Sequence, residues 1–273
     1  TFINTFPRTA STNYIYPRIL NGGEWDDWTS GFWTGILWLA YEITHEERYK
    51  KVAAFQTKSY EERIDNKIGV NHHDLGFLYT PSVVAHYKIT GNNSAKEAGV
   101  KAAAHLMGRF KEKGEFIQAW GELDDPNAYR LIIDCNLNVP LLFWASEATG
   151  DPKYREIAAK HINTAANVVL RDDSSTHHTY YFDNETGKPL KGVTAQGASD
   201  TSAWSRGQAW GIYGFPLAYS YLKDEKFIKL YKRVTNYFLN HLPKDNVCYW
   251  DLSFDESSNE EKDTSAAAIA VCG

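Results

Sequence analysis

Leu141-Leu-Phe-Trp-Ala-Ser-Glu-Ala-Thr-Gly-Asp-Pro152-Lys-Tyr-Arg-Glu-Ile-Ala-Ala-Lys-His-Ile-Asn-Thr-Ala-Ala-Asn-Val-Val-Leu170 decides the fold. Residues 141–148 are apolar nearly all round, as suits a helix with no solvent face. Thr149-Gly-Asp-Pro152 then stops one helix and starts another: Gly provides the left-handed C-cap, and Asp caps the helix that follows. Residues 153–170 are more polar, with an aromatic in the opening turn and one apolar face. The same grammar recurs three times: 31–44 then 46–66, 83–90 then 95–111 across Gly91-Asn-Asn-Ser, and 211–222 then 225–241 across Lys223-Asp224. In the first copy, Phe32, Ile36, Leu37, Leu39 and Ile43 share one helical face, and Tyr49, Val52, Ala53 and Phe55 are expected to point inward in the helix that follows. Repeated inner–outer helix hairpins predict an all-α fold, an α/α toroid of the six-hairpin type.

Residues 1–24, with Pro7, Pro17 and Gly22-Gly23, have no helical period and read as irregular chain. The long insertions at 113–130 and 171–206 interrupt the repeat without suggesting a second fold, so residues 1–273 are expected to form one domain. Tyr180-Tyr-Phe-Asp-Asn-Glu-Thr-Gly-Lys188 reads as a short hairpin turning at Asn184–Gly187. Asp263-Thr-Ser-Ala-Ala-Ala-Ile-Ala-Val-Cys-Gly273 begins like a capped inner helix, the opening of a fifth hairpin. A six-hairpin ring would then be incomplete at the C-terminus of this sequence.

A net charge of −5 and the lack of a basic run argue against nucleic acid as a partner. No apolar run approaches the ~20 residues of a membrane span. Cys135, Cys248 and Cys272 form no CxxC and no even framework, which favours a reducing, cytoplasmic setting. Aromatics make up 14% of the chain, and several lie beside glycine or polar residues, as in Gln118-Ala-Trp120, a composition suited to flat sugar rings. No Gly-x-Ser-x-Gly elbow, phosphate loop or dinucleotide fingerprint is present, so serine acyl chemistry and nucleotide cofactors drop out.

Asp134 stands between the apolar runs 131–133 and 137–144. A lone carboxylate there must be paired, protonated or facing a cavity, and the competing reading is a helix cap. Asp74, in Asn71-His-His-Asp-Leu-Gly-Phe-Leu-Tyr79, stands in the same relation to another apolar helix, again as a cap or as a second carboxylate. His72 and His73 are adjacent, so their side chains are expected to diverge, and no metal site is expected. Arg206 and Trp210, four apart, share a helical face; Arg206 either pairs with a structural acid or anchors an anionic sugar.

At these residues the sequence resembles the unsaturated glucuronyl hydrolases of glycoside hydrolase family 88. The shared motifs are Asp27-Trp-Thr-Ser-Gly-Phe-Trp-Thr-Gly-Ile-Leu-Trp38, His72-His-Asp-Leu-Gly-Phe-Leu-Tyr79, Gln118-Ala-Trp-Gly121, Ile132-Ile-Asp-Cys135 and Ser205-Arg-Gly-Gln-Ala-Trp-Gly-Ile-Tyr-Gly214. The resemblance implies that Asp134 is the general acid and base and Asp74 the second essential carboxylate. It places Trp28, Trp120, His178, Gln196, Arg206 and Trp210 along the substrate. The family's opening helix is not recognisable in residues 1–20, and its last quarter has no counterpart after Gly273.

The implied substrate is an oligosaccharide ending in a C4=C5 unsaturated uronic acid, with no cofactor. Protonation at C4 of the vinyl ether and water addition at C5 would release the saccharide. Apolar neighbours and nearby negative charge would keep the acid protonated until substrate arrives. Two rivals remain: a hydrolase of unsaturated galacturonyl–rhamnose ends on the same toroid, and a catalytically silent saccharide-binding protein.

Overall fold

A computed structural model of the chain describes residues 2–22 and 27–273, with only the backbone of Asp27. Thr1 and residues 23–26, which end the expected irregular segment, lie outside the described residues. In chain order the elements are β1 (Phe6–Pro7), β2 (Arg18–Ile19), α1 (Ser30–Thr44), α2 (Glu47–Asp65), α3 (Leu75–Tyr79), a π turn (Thr80–Val84), α4 (Ala85–Thr90) and α5 (Asn93–Met107). They continue as β3 (Phe110–Lys111), β4 (Phe116–Ile117), β5 (Arg130–Ile132), α6 (Cys135–Asn138), α7 (Pro140–Thr149), α8 (Pro152–Val168), β6 (Thr179–Phe182) and β7 (Pro189–Val193). The last three are α9 (Ser205–Leu222), α10 (Lys226–Asn240) and α11 (Thr264–Cys272). Each expected hairpin partner is a helix, and Asp263 does cap α11, its carboxylate accepting from the Ala266 N–H at 3.0 Å. Among the described residues, no helix is long and apolar enough to cross a membrane.

The chain divides into two compact units: Thr1–Arg109 with Pro140–Arg155, and Phe110–Val139 with Glu156–Gly273. In the first, Leu37 and Trp38 of α1 pack on Ala53 of α2, bordered by Trp33, Tyr41, Tyr49, Val52, Ala85 and Ile89. The broad inward face expected of α1 is therefore narrower than its apolar pattern suggested. Phe32, Ile36, Leu39 and Ile43 are exposed, and so is Phe55 of α2. The buried face of α1 instead carries Ser30, Gly31, Thr34 and Gly35, small residues that allow close helix approach. A side chain at Gly31 would lie 2.2 Å from the Phe77 carbonyl oxygen of α3.

Several buried polar groups within this unit are paired. Thr34 donates to Gln56 at 3.0 Å, and the Tyr60 hydroxyl donates to Ser30 at 3.1 Å. Arg63, also buried, donates to Asn21 at 2.8 Å and to the carbonyls of Ile68 and Gly69. The apolar helix entered after Asp74 and the one read over 83–90 are one continuous path: it begins at Leu75 and continues past Pro81 as a π turn into α4. A wider turn accommodates the missing proline N–H without ending the helix. The Thr149-Gly-Asp-Pro turn is as read: Gly150 has φ +79°, its N–H reaches the Ser146 carbonyl, and the Asp151 carboxylate accepts from Lys153 N–H at 2.9 Å.

In the second unit β5, β6 and β7 form an antiparallel sheet, with Arg130 opposite Tyr181 and Ile132 opposite Thr179. The expected Asn184–Gly187 turn closes β6 onto β7, Gly187 taking φ +72° against the Lys113 backbone. Helix α9 approaches the 133–137 segment through glycines: a side chain at Gly211 would stand 3.5 Å from Ile133, and one at Gly214 2.8 Å from Asn136. Gln208 ties α9 to α10 by donating to the carbonyls of Ser174 and Val234.

Candidate active site

Of the residues singled out in the sequence, Trp28 and Asp74 belong to the first unit. Asp134, Trp120, His178, Gln196, Arg206 and Trp210 belong to the second. Each group is built within its own unit.

Asp74 is the residue immediately before α3, and its side chain makes no cap hydrogen bond there. The capping alternative thus does not account for this carboxylate. The loop that delivers it is pinned at each step. Asn71 accepts from the buried Arg109, His72 Nε2 reaches the Gly69 carbonyl at 2.8 Å, and the Asp74 N–H donates to His72 Nδ1 at 3.0 Å. A backbone N–H pointing at Nδ1 requires the His72 proton to be on Nε2, where it donates to Gly69. Both nitrogens of His72 are consequently occupied by protein. Contrary to the expected divergence, both imidazoles meet the acid: His72 Nδ1 lies 3.3 Å from one Asp74 oxygen and His73 Nε2 3.4 Å from the other. Trp28 stacks at a tilt on Phe77, ring centroids 5.4 Å apart, one helical turn into α3 from Asp74. This acceptor-rich group beside an aromatic plate suits sugar hydroxyls.

Asp134 occupies the same position before α6, between the end of β5 and Cys135, and it too makes no side-chain cap hydrogen bond. Its neighbours Leu131, Ile132, Ile133 and Cys135 are all fully buried. Asp134 itself is half-buried. The β5–β6 pairing continues one step beyond the strands: the Ile133 N–H donates to the His178 carbonyl at 3.1 Å. That bond places His178 beside the segment leading to Asp134. The His178 ring is buried, accepts at Nδ1 from the Ala195 N–H at 3.0 Å, and so carries its proton on Nε2.

Gln196 and Arg206 are brought together, Arg206 Nη2 donating to Gln196 Oε1 at 3.3 Å. Arg206 also has an acidic partner, Asp263, at 2.7 Å, and donates to Ser265 at 3.0 Å. The structural pairing foreseen as the plain alternative is therefore real, and it coexists with the Gln196 contact. Beneath Arg206 lies Trp204, whose ring is 4.5 Å from the guanidinium carbon and 4.7 Å from the His178 ring. Trp210, one turn along α9, is 5% exposed, so at most an edge of its ring reaches solvent. Trp120 is 38% exposed and is stacked by Arg130, whose guanidinium carbon lies 4.6 Å from its ring and which donates to the Tyr181 hydroxyl at 2.9 Å.

Trp204, Asp263 and Arg130 are the site neighbours that the sequence reading missed. Trp204 was visible in the Ser-Ala-Trp-Ser-Arg run, but only the long-range pairing of 203–205 with 249–252 places it under Arg206. Asp263 was read solely as a cap. It performs that task with Oδ1 and the Arg206 contact with Oδ2.

The chain matches the family model described as Glycosyl Hydrolase Family 88 over residues 3–273. It is 57% identical over 272 residues to a protein of Streptococcus agalactiae serotype III (strain NEM316) named unsaturated chondroitin disaccharide hydrolase, the match covering 100% of this chain and 67% of that one. It is 44% identical over 273 residues to the unsaturated glucuronyl hydrolase of Bacillus sp. (strain GL1), covering 100% of this chain and 71% of the other. The crystal structure of unsaturated glucuronyl hydrolase from Streptococcus agalactiae superposes with a TM-score of 0.95 at 56% identity, over 99% of this chain and 67% of that one. The fold is therefore all-α, of the α/α-toroid class. With sequence and fold agreeing along nearly the whole chain, this protein belongs to glycosyl hydrolase family 88 and is a glycoside hydrolase.

Proposed function

We propose that this enzyme is an unsaturated glucuronyl hydrolase, removing the C4=C5 unsaturated uronic acid from the non-reducing end of lyase-generated glycosaminoglycan oligosaccharides. The observation that carries the reading is Asp134. It is a carboxylate at the end of a buried strand, where its position before α6 is not used for capping.

In this mechanism Asp134 delivers its proton to C4 of the vinyl ether, and positive charge develops at C5 and the ring oxygen. Asp134, now ionised, takes a proton from the water that bonds to C5. The resulting hemiketal opens to a ketone at C5, which leaves C1 as a hemiacetal that expels the saccharide as an alcohol. The consumed water supplies one hydrogen and one hydroxyl, and Asp134 ends protonated as it began. This is hydration followed by ring opening, so the carboxylate-separation rule for direct displacement at C1 does not apply.

Asp74 is assigned the ring hydroxyls and the developing charge, its backbone N–H held by His72 and one carboxylate oxygen lying 3.4 Å from His73 Nε2. Arg206 and Gln196 are assigned the substrate carboxylate: Asp263 takes one guanidinium nitrogen and Gln196 lies against the other. Trp28 and Trp120 provide flat faces for the sugars, Trp210 a ring edge, and His178 a donor at Nε2. A protein of net charge −5 repels anionic saccharides at long range, which makes such a local donor group necessary. We place the enzyme in the cytoplasm, where Cys135, Cys248 and Cys272 would stay reduced.

The test is direct. Incubation with the unsaturated disaccharide from chondroitin lyase should abolish the ultraviolet absorbance of its conjugated alkene. Binding without loss of absorbance would support the silent saccharide-binding reading instead.

A further inference from the structure

Asp251 takes no part in the chemistry above, yet its carboxylate is 0% exposed and fully hydrogen-bonded. Oδ2 accepts from the Ala198 N–H at 2.9 Å and the Ser202 hydroxyl at 2.7 Å, and Oδ1 accepts from the Ser253 N–H at 3.1 Å and its hydroxyl at 2.8 Å. A buried carboxylate is tolerated only with such a complement of donors, so the donors are held as firmly as the acid. Two of the four come from the loop that carries Gln196.

That loop has no ladder of its own. Five successive N–H groups, from Thr194 to Ala198, all donate to side chains. Thr194 bonds to Asp200, Ala195 to His178, Gln196 and Gly197 to Thr194 Oγ1, and Ala198 to Asp251. Packing is equally close: a side chain at Gly197 would stand 2.7 Å from Thr194 Oγ1 and 3.1 Å from Asp251 Oδ2. On its backbone side, Asp251 bridges Trp204, and the flanking Leu252 N–H donates to the Ala203 carbonyl at 2.9 Å. This is where α9 begins, with Trp204 under Arg206.

We propose that Asp251 is a positioning residue, joining the Gln196 loop to the root of α9 so that the Gln196 amide meets the Arg206 guanidinium as one binding unit. The proposal rests on the assignment of Gln196 and Arg206 to substrate binding. It goes beyond that assignment in naming what sets their spacing. Substitution of Asp251 by Asn turns one acceptor into a donor that faces the N–H of Ala198 or of Ser253, while volume and packing are kept.

The experiment is a double-mutant cycle on KM and kcat for the unsaturated chondroitin disaccharide, with Asp251→Asn, Gln196→Ala and the pair. Expected are a KM increase of about 10-fold for Asp251→Asn with kcat within about 3-fold, and almost no further increase when Gln196 is already Ala. Gly197→Ala keeps Asp251 but intrudes on the same contact, and should reproduce the rise in KM; it carries the cycle if Asp251→Asn does not fold. Additive KM effects, or a lowered melting temperature with unchanged KM in both loop variants, would overturn the proposal. If the wild type binds the disaccharide without consuming it, the same cycle run on calorimetric affinity decides for or against Asp251, and only the hydrolase assignment falls. A wild type that neither binds nor consumes it removes both.

Discussion

Gly31→Ala tests how α1 sits on α3 and, with it, how Asp74 is delivered. Taken alone, replacing a helical Gly by Ala is favourable by about 1 kcal/mol. Here the added methyl would lie 2.2 Å from the Phe77 carbonyl oxygen, 2.7 Å from that of Leu78 and 2.8 Å from the Leu78 Cα. All three are backbone atoms, so no rotamer change relieves the overlap, and α1 and α3 must separate. Overpacking of this kind costs about 1–3 kcal/mol, and contact with backbone puts it at the upper end. The net effect is destabilisation by about 2 kcal/mol, or a melting temperature roughly 4–8 °C lower for a chain of this size. Since α3 starts directly after Asp74 and holds Phe77 against Trp28, KM for the disaccharide should rise as well. Gly108→Ala is the control: φ is −62° and the nearest atom to the new methyl, the His105 carbonyl oxygen, is at 3.3 Å. That variant should match or slightly exceed the wild type in stability, by up to about 1 kcal/mol. Thermal melts of both variants decide the matter. A Gly31→Ala protein melting at or above the wild type would refute the close-packed crossing.

Gln208→Leu leaves the Ser174 and Val234 carbonyls without their donor, and should cost about 2–3 kcal/mol in urea unfolding. Asp263→Ala removes both the α11 cap and the Arg206 partner; stability should fall by about 1–2 kcal/mol and KM should rise, whereas a change in stability alone would confine Asp263 to capping. His177 is held down at about 4 by burial and then by the Arg171 charge. The unfolded chain therefore binds the extra proton between roughly pH 6.5 and 4 while the folded one does not, and stability must decline as pH falls through that window. Allowing for the ring's partial exposure, the loss is on the order of 1–2 kcal/mol, and His177→Phe should flatten this part of a pH series of urea midpoints.

The hairpin repeat was legible because its signals are local. Thr149-Gly-Asp-Pro152 contains its own stop and start, and the structure ends α7 at Thr149 and begins α8 at Pro152. Burial was less legible. In α1 the apolar residues Ile36, Leu39 and Ile43 are exposed, while glycine and hydroxyl residues face α3 and α2, because close approach there selects for small volume over hydrophobicity. The π turn at Pro81 was hidden for a related reason, since sequence marks the missing N–H but not the wider turn that absorbs it. The two carboxylates stood out as charges in apolar runs. The sequence could not exclude capping, which only the missing side-chain bonds to α3 and α6 decide. Trp204, Asp251 and Asp263 were beyond reach because each gains its role from a partner distant in the chain.

Turnover of unsaturated chondroitin disaccharide by Asp134→Asn tests the central claim most directly. Asparagine keeps the shape of the side chain but has no proton of carboxylic strength to give to C4. The variant should fold, bind the disaccharide with near-wild-type affinity, and leave the alkene absorbance intact, with kcat at least about 1,000-fold down. Turnover within a few-fold of the wild type would contradict the account and return Asp134 to a structural role.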